Sequence, residues 1–115
     1  MSERDNLHIL RIKQELDFIR QHISSVGRNK FLSDEVLQHA LSMSLIIIGE
    51  CANHLSEEFK ARYSSIEWIQ IIAVGNIAAH GYWQLSMEQM WQAVEEDIPR
   101  LDATFAQSDR EDAVV

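Results

Sequence analysis

The sequence predicts an all-α fold, an antiparallel bundle of four long helices with one short extra helix. Apolar residues recur every three or four positions almost throughout the 115 residues, which is the period of amphipathic helices. No strand-like alternation occurs, and no Asn-Gly or Asp-Gly pair separates apolar runs. The composition, 46% hydrophobic and 24% charged with one proline and four glycines, excludes collagen-like, low-complexity and wholly disordered chains.

The first two long helices follow directly from this period. The first ends at Gly27, a stop signal. Its predicted buried face consists of Ile9, Ile12, Leu16, Ile19, Ile23 and Val26. The second begins at Ser33 as N-cap, with Asp34 and Glu35 in its first turn, where acidic residues favour the helix dipole. Its buried stripe is broad, and its main positions are Leu37, Leu41, Ser44, Ile48, Cys51 and Leu55.

Capping residues place the remaining elements. Ser56 opens a short acidic-capped helix that reaches about Tyr63. Ser64 or Ser65 is expected to cap the third long helix, which ends near His80 and Gly81 because glycine is common after the last helical turn. One face of this third helix is predicted to carry Ile66, Ile69, Ala73 and Ile77.

The last long helix begins with a capping box, Ser86-x-x-Gln89. Its predicted buried face consists of Met87, Trp91, Val94, Ile98, Leu101 and Phe105. Pro99 lies inside this run and is expected to kink the helix or divide it in two. Residues 107–115 are polar and then small, which predicts a flexible tail after a helical domain over 1–106.

Several classes are excluded by single residues or by charge. One cysteine, Cys51, rules out a disulfide framework within the chain and a four-cysteine zinc site. The sequence has no run of eighteen apolar residues, so no membrane span is predicted. The N-terminus does not resemble a signal peptide, and a cytoplasmic location is expected. The stripes are broad for so small a bundle, which favours a homodimer.

The net charge is −8, and it is unevenly distributed. Residues 1–30 carry six Lys/Arg against four Asp/Glu, whereas residues 31–115 carry four against fourteen. Phosphate contacts need cations, so any RNA would have to meet the N-terminal segment. The candidates are Arg4, Arg11, Lys13, Arg20, Arg28 and Lys30. The alternative is that these residues balance carboxylates on a solvated helix face.

Three sets of residues could carry chemistry. Glu50 and His54 have metal-ligand spacing on a helix but no second Glu-x-x-His partner, so polar surface positions are the favoured interpretation. Asn76 and His80 share a helix face, and a histidine near a helix end suits proton transfer or simply the helix dipole. Gly75 is unusual in mid-helix; close helix packing along Ala73, Gly75, Ala78 and Ala79 would explain it.

Several stretches in order resemble one family. Residues 48–53, Ile-Gly-Glu-Cys-Ala-Asn, resemble an Ile-Gly-Glu-Ala-Ala-Asn stretch; Trp68 precedes the motif helix; and Trp91 with the later Asp97-Ile98-Pro99-x-Leu101 resembles a closing helix. Most specific is an Arg-x4-His-x-Tyr motif, represented by Gly75, Asn76, His80 and Tyr82. The chain is similar to HepT-like toxins of the HEPN superfamily, small all-α ribonucleases paired with MNT nucleotidyltransferase antitoxins in type VII-like systems.

This resemblance implies a metal-independent RNA-cleaving site without a cofactor, formed at a dimer interface. His80 would serve in proton transfer as a ribose 2′-hydroxyl attacks the adjacent phosphate of an mRNA or tRNA. The partner nucleotidyltransferase would neutralise the toxin by transferring AMP to Tyr82. The motif arginine would stabilise phosphoryl charge, but its position holds Gly75, and loss of one such donor typically costs on the order of 10²–10³ in rate.

Two functions therefore remain open at this point. The first is a homodimeric ribonuclease toxin whose activity is impaired or lost because Gly75 replaces the arginine. The second is a non-catalytic all-α dimeric binding module that regulates a partner nucleotidyltransferase. The ordered motifs favour the first, and Gly75 with the acidic body favours the second.

Overall fold

The computed structural model describes residues 2–81 and 86–113, and the all-α prediction is confirmed. The four long helices are α1 (Glu3–His22), α3 (Glu35–His54), α5 (Trp68–His80) and α6 (Met87–Ala113). Two short helices, α2 (Arg28–Leu32) and α4 (Glu57–Arg62), and one 3₁₀ turn (Ser24–Val26) connect them. The short helix after Ser56 was expected, whereas α2 was not.

The helix α3 is the centre of the bundle, because both α1 and α5 pack against it. Glu15 accepts a hydrogen bond from Ser44 at 2.8 Å, and the ring of His8 stacks on His54, so α1 runs antiparallel to α3. The core is continuous through the described helices. Its largest fully buried side chains are Phe31, Phe105, Ile12, Leu16, Ile19, Ile23, Leu41, Ile48, Met90 and Leu101.

Two helix starts and one buried position differ from the prediction. Asp34, not Ser33, caps α3, because its carboxylate accepts from the backbone N–H groups of Val36 and Leu37. No side chain caps α5, which begins at Trp68 after Glu67 rather than at Ser64 or Ser65. Val26 is 44% exposed, because α1 ends at His22 and the 3₁₀ turn breaks the helical period.

The last helix also differs from the prediction. The α6 helix is assigned as one uninterrupted element that includes Pro99, so the proline does not divide it; Pro99 lies on the exposed side. The helix continues to Ala113, where a flexible tail from residue 107 was expected. Ion pairs from Lys13 to Asp109 and from Arg62 to Glu111 attach this end of α6 to α1 and α4. The capping box of Ser86 and Gln89 is present.

A buried carboxylate joins the start of α1 to the junction between α3 and α4. Asp5 is 4% exposed and accepts from the backbone N–H of Ser56 at 2.8 Å and from its hydroxyl at 2.7 Å. The Ser56 hydroxyl oxygen in turn accepts from the N–H of Phe59 and so caps α4. The charge of Asp5 is thereby satisfied by hydrogen bonds inside the protein. None of the helices in the described ranges has the length and hydropathy of a membrane span.

Candidate functional site

The helix α5 carries the motif residues, and α4 fixes where it begins. The indole N–H of Trp68 is 3.2 Å from both the Lys60 and Tyr63 carbonyl oxygens. At the other end, the N–H of Gly81 donates to the Ile77 carbonyl at 2.8 Å and closes the last turn. The expected end at His80 and Gly81 is therefore confirmed, with His80 as the last helical residue.

Gly75 lies inside a close contact between α5 and α3. A Cβ added at Gly75 would lie 2.9 Å from the Leu45 carbonyl oxygen and 3.0 Å from the Cα of Gly49. A Cβ added at Gly49 would lie 3.3 Å from the Ile71 carbonyl oxygen. Because Leu45 faces Gly75 and Gly49 faces Ile71, the two helices run antiparallel. The position that matches the family arginine thus has no room for a side chain in this packing.

The helix α5 buries Gly75 and Ala78, as the close-packing interpretation of Gly75 expects, although Ala73 and Ala79 are exposed. It does not bury the face that carries Ile69, Ala73 and Ile77. Trp68, Ile71, Gly75 and Ala78 are buried, whereas Ile69 on the predicted face is 86% exposed. A second set of residues from that prediction, Ala73 and Ile77, is also exposed. The physical reason is that the small residues Gly75 and Ala78 let α5 approach α3 closely, which directs the larger aliphatic side chains outward. Ile66 is buried, but it precedes the helix.

Asn76 and His80 share the exposed face of α5. Both residues are exposed, and their i, i+4 spacing places them on one side of the helix. Within the described residues, no hydrogen bond or ion pair engages either side chain. Their amide and imidazole are therefore presented outward beside Ile69 and Ala73. Tyr82 lies in the segment 82–85, outside the described residues.

A groove of about 410 Å³ runs between α5 and α6, on the side of Val74 and Ile77. Its polar and charged lining consists of Glu67, Gln70, Gln89, Gln92, Glu96, Asp97 and Arg100. Burial raises the pKa of Asp97, while Arg100 opposes this shift. With three carboxyl groups against one guanidinium, this groove disfavours an RNA phosphate.

The candidate metal and thiol sites are structural in character. In the described ranges, no group of three or more His, Cys, Asp or Glu residues is arranged to hold a metal ion. His54 Nδ1 lies 2.8 Å from the backbone oxygen of Glu50 and 3.5 Å from its carboxylate. These two residues therefore contact each other at the surface. Cys51 is buried, and burial raises its thiol pKa, which suits a core residue rather than a nucleophile.

Four of the six N-terminal cations are paired with carboxylates. Arg20 pairs with Asp17 and Asp102, and Lys13 with Asp109. Arg28 pairs with Glu88 and Lys30 with Asp34 in the same way. Arg4 and Arg11 make no ion pair with any side chain that the structure describes. Sequence reasoning missed the stacking of His8 on His54 and the pairs of Lys13 with Asp109 and of Arg28 with Glu88, because these contacts are distant in the chain. The local pairs of Arg20 with Asp17 and of Lys30 with Asp34 agree with the alternative that these cations balance nearby carboxylates.

Comparison with known proteins gives a consistent assignment. A family model described as Ribonuclease HepT-like matches residues 12–107. A Caldanaerobacter subterraneus subsp. tengcongensis protein named "Putative RNase TTE0752" is 30% identical over 95 residues, covering 83% of this chain and 82% of the relative. "Putative RNase MJ1380" of Methanocaldococcus jannaschii is 24% identical over 102 residues, covering 88% and 94%.

A third relative carries the family name itself. "Probable ribonuclease HepT" of Thermococcus cleftensis is 28% identical over 94 residues, covering 82% of this chain and 86% of the relative. No solved structure gave a significant match. The match over residues 12–107 spans the central helix α3, the motif helix α5 and most of α6. This chain belongs to the HepT-like ribonuclease family.

Proposed function

We propose that the chain is the toxin of a HEPN/MNT toxin–antitoxin pair, an RNA-cleaving homodimer whose cleavage is slow. The observation that carries the proposal is the outward presentation of Asn76 and His80 on one face of α5, in a chain of this family. His80 takes up the proton of a ribose 2′-hydroxyl as its oxygen bonds to the adjacent phosphorus. The bond from phosphorus to the 5′-oxygen breaks, and water supplies the proton that this oxygen needs.

Asn76 and position 75 differ in how they can stabilise the phosphate. The Asn76 amide can donate a hydrogen bond to a phosphate oxygen. Because the amide is neutral, it does not neutralise the charge of the phosphate. Gly75 has no side chain, and its α-carbon is enclosed by α3. No arginine then stabilises the charge on the phosphoryl group. Cleavage is therefore expected to be on the order of 10²–10³-fold slower than with an arginine at this position.

The assay that tests cleavage uses purified chain with tRNA and an unstructured mRNA fragment, in the presence of EDTA. We expect slow cleavage that leaves 2′,3′-cyclic phosphate ends, and a loss of at least ~100-fold in His80→Ala and Asn76→Ala. His39→Ala, at an exposed position of α3, is the control and should cleave like the parent. Cleavage that survives in His80→Ala would assign it to a contaminant or to another residue.

The second candidate function is a non-catalytic dimer that regulates a partner nucleotidyltransferase. The enclosed Gly75 favours it, because the charged residue that the family uses is missing and its place is taken by helix packing. Absence of any EDTA-resistant cleavage by the parent chain, at high protein concentration and over long incubation, would select this function over the first.

The partner is proposed to be the nucleotidyltransferase encoded with the toxin, which transfers AMP to Tyr82. The phenolic oxygen of Tyr82 bonds to the α-phosphorus of ATP, pyrophosphate leaves, and the phenolic proton is lost. Gly81 ends α5 next to His80, so an AMP at Tyr82 adds bulk and negative charge two residues from the site. Both effects oppose the entry of an RNA phosphate.

Mass spectrometry after incubation with the partner, ATP and Mg²⁺ tests this neutralisation. We expect mass in multiples of AMP on the peptide that carries Tyr82, and none in Tyr82→Phe. Tyr63 is the internal control: it is buried, its hydroxyl donates to Glu111 at 2.6 Å, and burial raises its pKa. Label on Tyr63, or full modification of Tyr82→Phe, would contradict the mechanism.

A further inference from the structure

The start of α1 carries a short row of nitrogen-bearing side chains. Arg4, His8 and Arg11 follow i, i+4, i+7 spacing, which places them on one face of the helix. We call them the α1 cation row. The ring of His8 stacks on His54 of α3 with centroids 5.3 Å apart. The row is therefore held against the C-terminal end of α3.

The two arginines of this row are available for a ligand. Both are exposed, and neither makes an ion pair or hydrogen bond with a side chain that the structure describes. By contrast, the other four N-terminal cations are paired with carboxylates. In a chain with net charge −8, the row places two arginines without an ion pair to any described side chain at the N-terminal end of α1.

The His8 imidazole adds a hydrogen-bond donor to the row. Its Nδ1 is buried without a partner among the described residues, so we assign the proton to Nε2. Burial lowers the pKa of His8, and the charges of His54, Arg4 and Arg11 lower it further, while Asp5 opposes them. The lowered pKa favours the neutral imidazole, which lies between Arg4 and Arg11 along the helix face.

Three of the carboxylates near the row already have partners. Asp5 accepts two hydrogen bonds from Ser56, and Glu15 accepts one from Ser44. Glu50 lies 3.5 Å from His54 Nδ1, on the other side of the stacked ring pair. Two guanidinium groups with a neutral N–H donor between them match the oxygens of a phosphodiester group better than a neutral or cationic ligand.

We infer that the α1 cation row binds a backbone phosphate of the RNA substrate, at a position remote from the bond that is cleaved. This inference rests on the proposed ribonuclease function. It also answers a need of that function, because α5 contains no Lys or Arg to hold RNA beside Asn76 and His80. The row supplies cations to the same molecule from a different helix.

The helix geometry sets how remote the row is. His80 lies five residues beyond Gly75 on α5, and His54 lies five residues beyond Gly49 on the antiparallel α3. At 1.5 Å per residue these two lengths add to about 15 Å along the helix axes. His8 lies at about this distance and Arg4 lies beyond it, while Arg11 is about one helical turn nearer. We therefore assign the row to a phosphate other than the one that reacts. The row acts on binding, so its loss should raise the RNA dissociation constant and KM and leave kcat unchanged.

Fluorescence anisotropy with a labelled single-stranded RNA tests the inference on the full chain. In Arg4→Gln/Arg11→Gln we expect about tenfold weaker binding at moderate salt. The slope of log affinity against log salt should be smaller by about 0.7, because the row holds one phosphate and each lost phosphate contact on a single strand contributes about 0.7. Arg100→Gln/Arg110→Gln is the matched control, since it removes the same charge from α6 at two arginines that also make no ion pair with a described side chain.

The outcomes separate the inference from the function on which it rests. Equal weakening by the two double variants, or an unchanged salt slope in Arg4→Gln/Arg11→Gln, would overturn the row as a phosphate site while RNA binding by the parent stood. Absence of RNA binding by the parent itself would overturn the ribonuclease proposal and the inference together. Selective weakening with the predicted slope supports both.

Discussion

Gly75→Arg is expected to destabilise the protein strongly rather than to restore a catalytic arginine. Even a Cβ at this position would lie 2.9 Å from the Leu45 carbonyl oxygen and 3.0 Å from the Cα of Gly49. Both are backbone atoms, so α5 must shift away from α3. We expect Gly75→Ala to lower the free energy of unfolding by ~1–3 kcal/mol, although alanine favours helix by ~1 kcal/mol. Gly75→Arg should lower it further.

Thermal and urea unfolding of these variants provide the measurement. Asn76→Ala is the control, because it changes the next residue of α5 at an exposed position and should not destabilise. A Gly75→Arg protein that melts at the parent's temperature would contradict the expectation. That result would show that α5 moves away from α3 at little cost in free energy of unfolding. The RNA cleavage rate of Gly75→Arg would then be compared with that of the parent.

Ile69→Asp is expected to convert the protein from dimer to monomer. The α5 face that carries Asn76 and His80 also exposes Ile69, and α3 exposes Val36 and Met43 at 77% and 57%. We propose that a second copy covers these apolar side chains. In a two-fold interface each substitution occurs twice, so two buried carboxylates at ~2 kcal/mol each would raise the dissociation constant about a thousandfold.

Sedimentation velocity at micromolar concentration measures this effect. Val26→Asp is the control, since Val26 is an exposed apolar residue of the 3₁₀ turn rather than of α3 or α5, and it should leave the dimer intact. A parent chain that sediments as a monomer would remove both the dimer and the composite site. A dimer that survives Ile69→Asp would place the interface on a different surface.

The sequence predicted α1 well and α5 poorly, for a physical reason. In α1 only one face is apolar, so the period of Ile9, Ile12, Leu16 and Ile19 identified the residues that are buried. The helix α5 is apolar on nearly every side, so its period does not select a face. The selection comes from the fit of Gly75 against α3, and a glycine contributes no hydrophobic signal of its own.

The candidate site was predictable to a similar, partial extent. The i, i+4 spacing placed Asn76 and His80 on one face, and the structure finds both exposed. The choice among six N-terminal cations was only partly accessible from sequence. Arg20 and Lys30 have a carboxylate within four residues, whereas Lys13 and Arg28 find theirs 96 and 60 residues away. The folded arrangement against α6 is what separates Lys13 and Arg28 from Arg4 and Arg11.

The contact between Gly49 and Gly75 also constrains how this gene can change over generations. A single codon change that placed arginine at position 75 would meet the backbone of α3 and is expected to be lost through instability before any gain in cleavage could be selected. An arginine at position 75 would first need an independent change that widens the space between α3 and α5. The packing of the two glycines therefore opposes single substitutions at either position. A lineage with this pair is expected to keep glycine at both positions together.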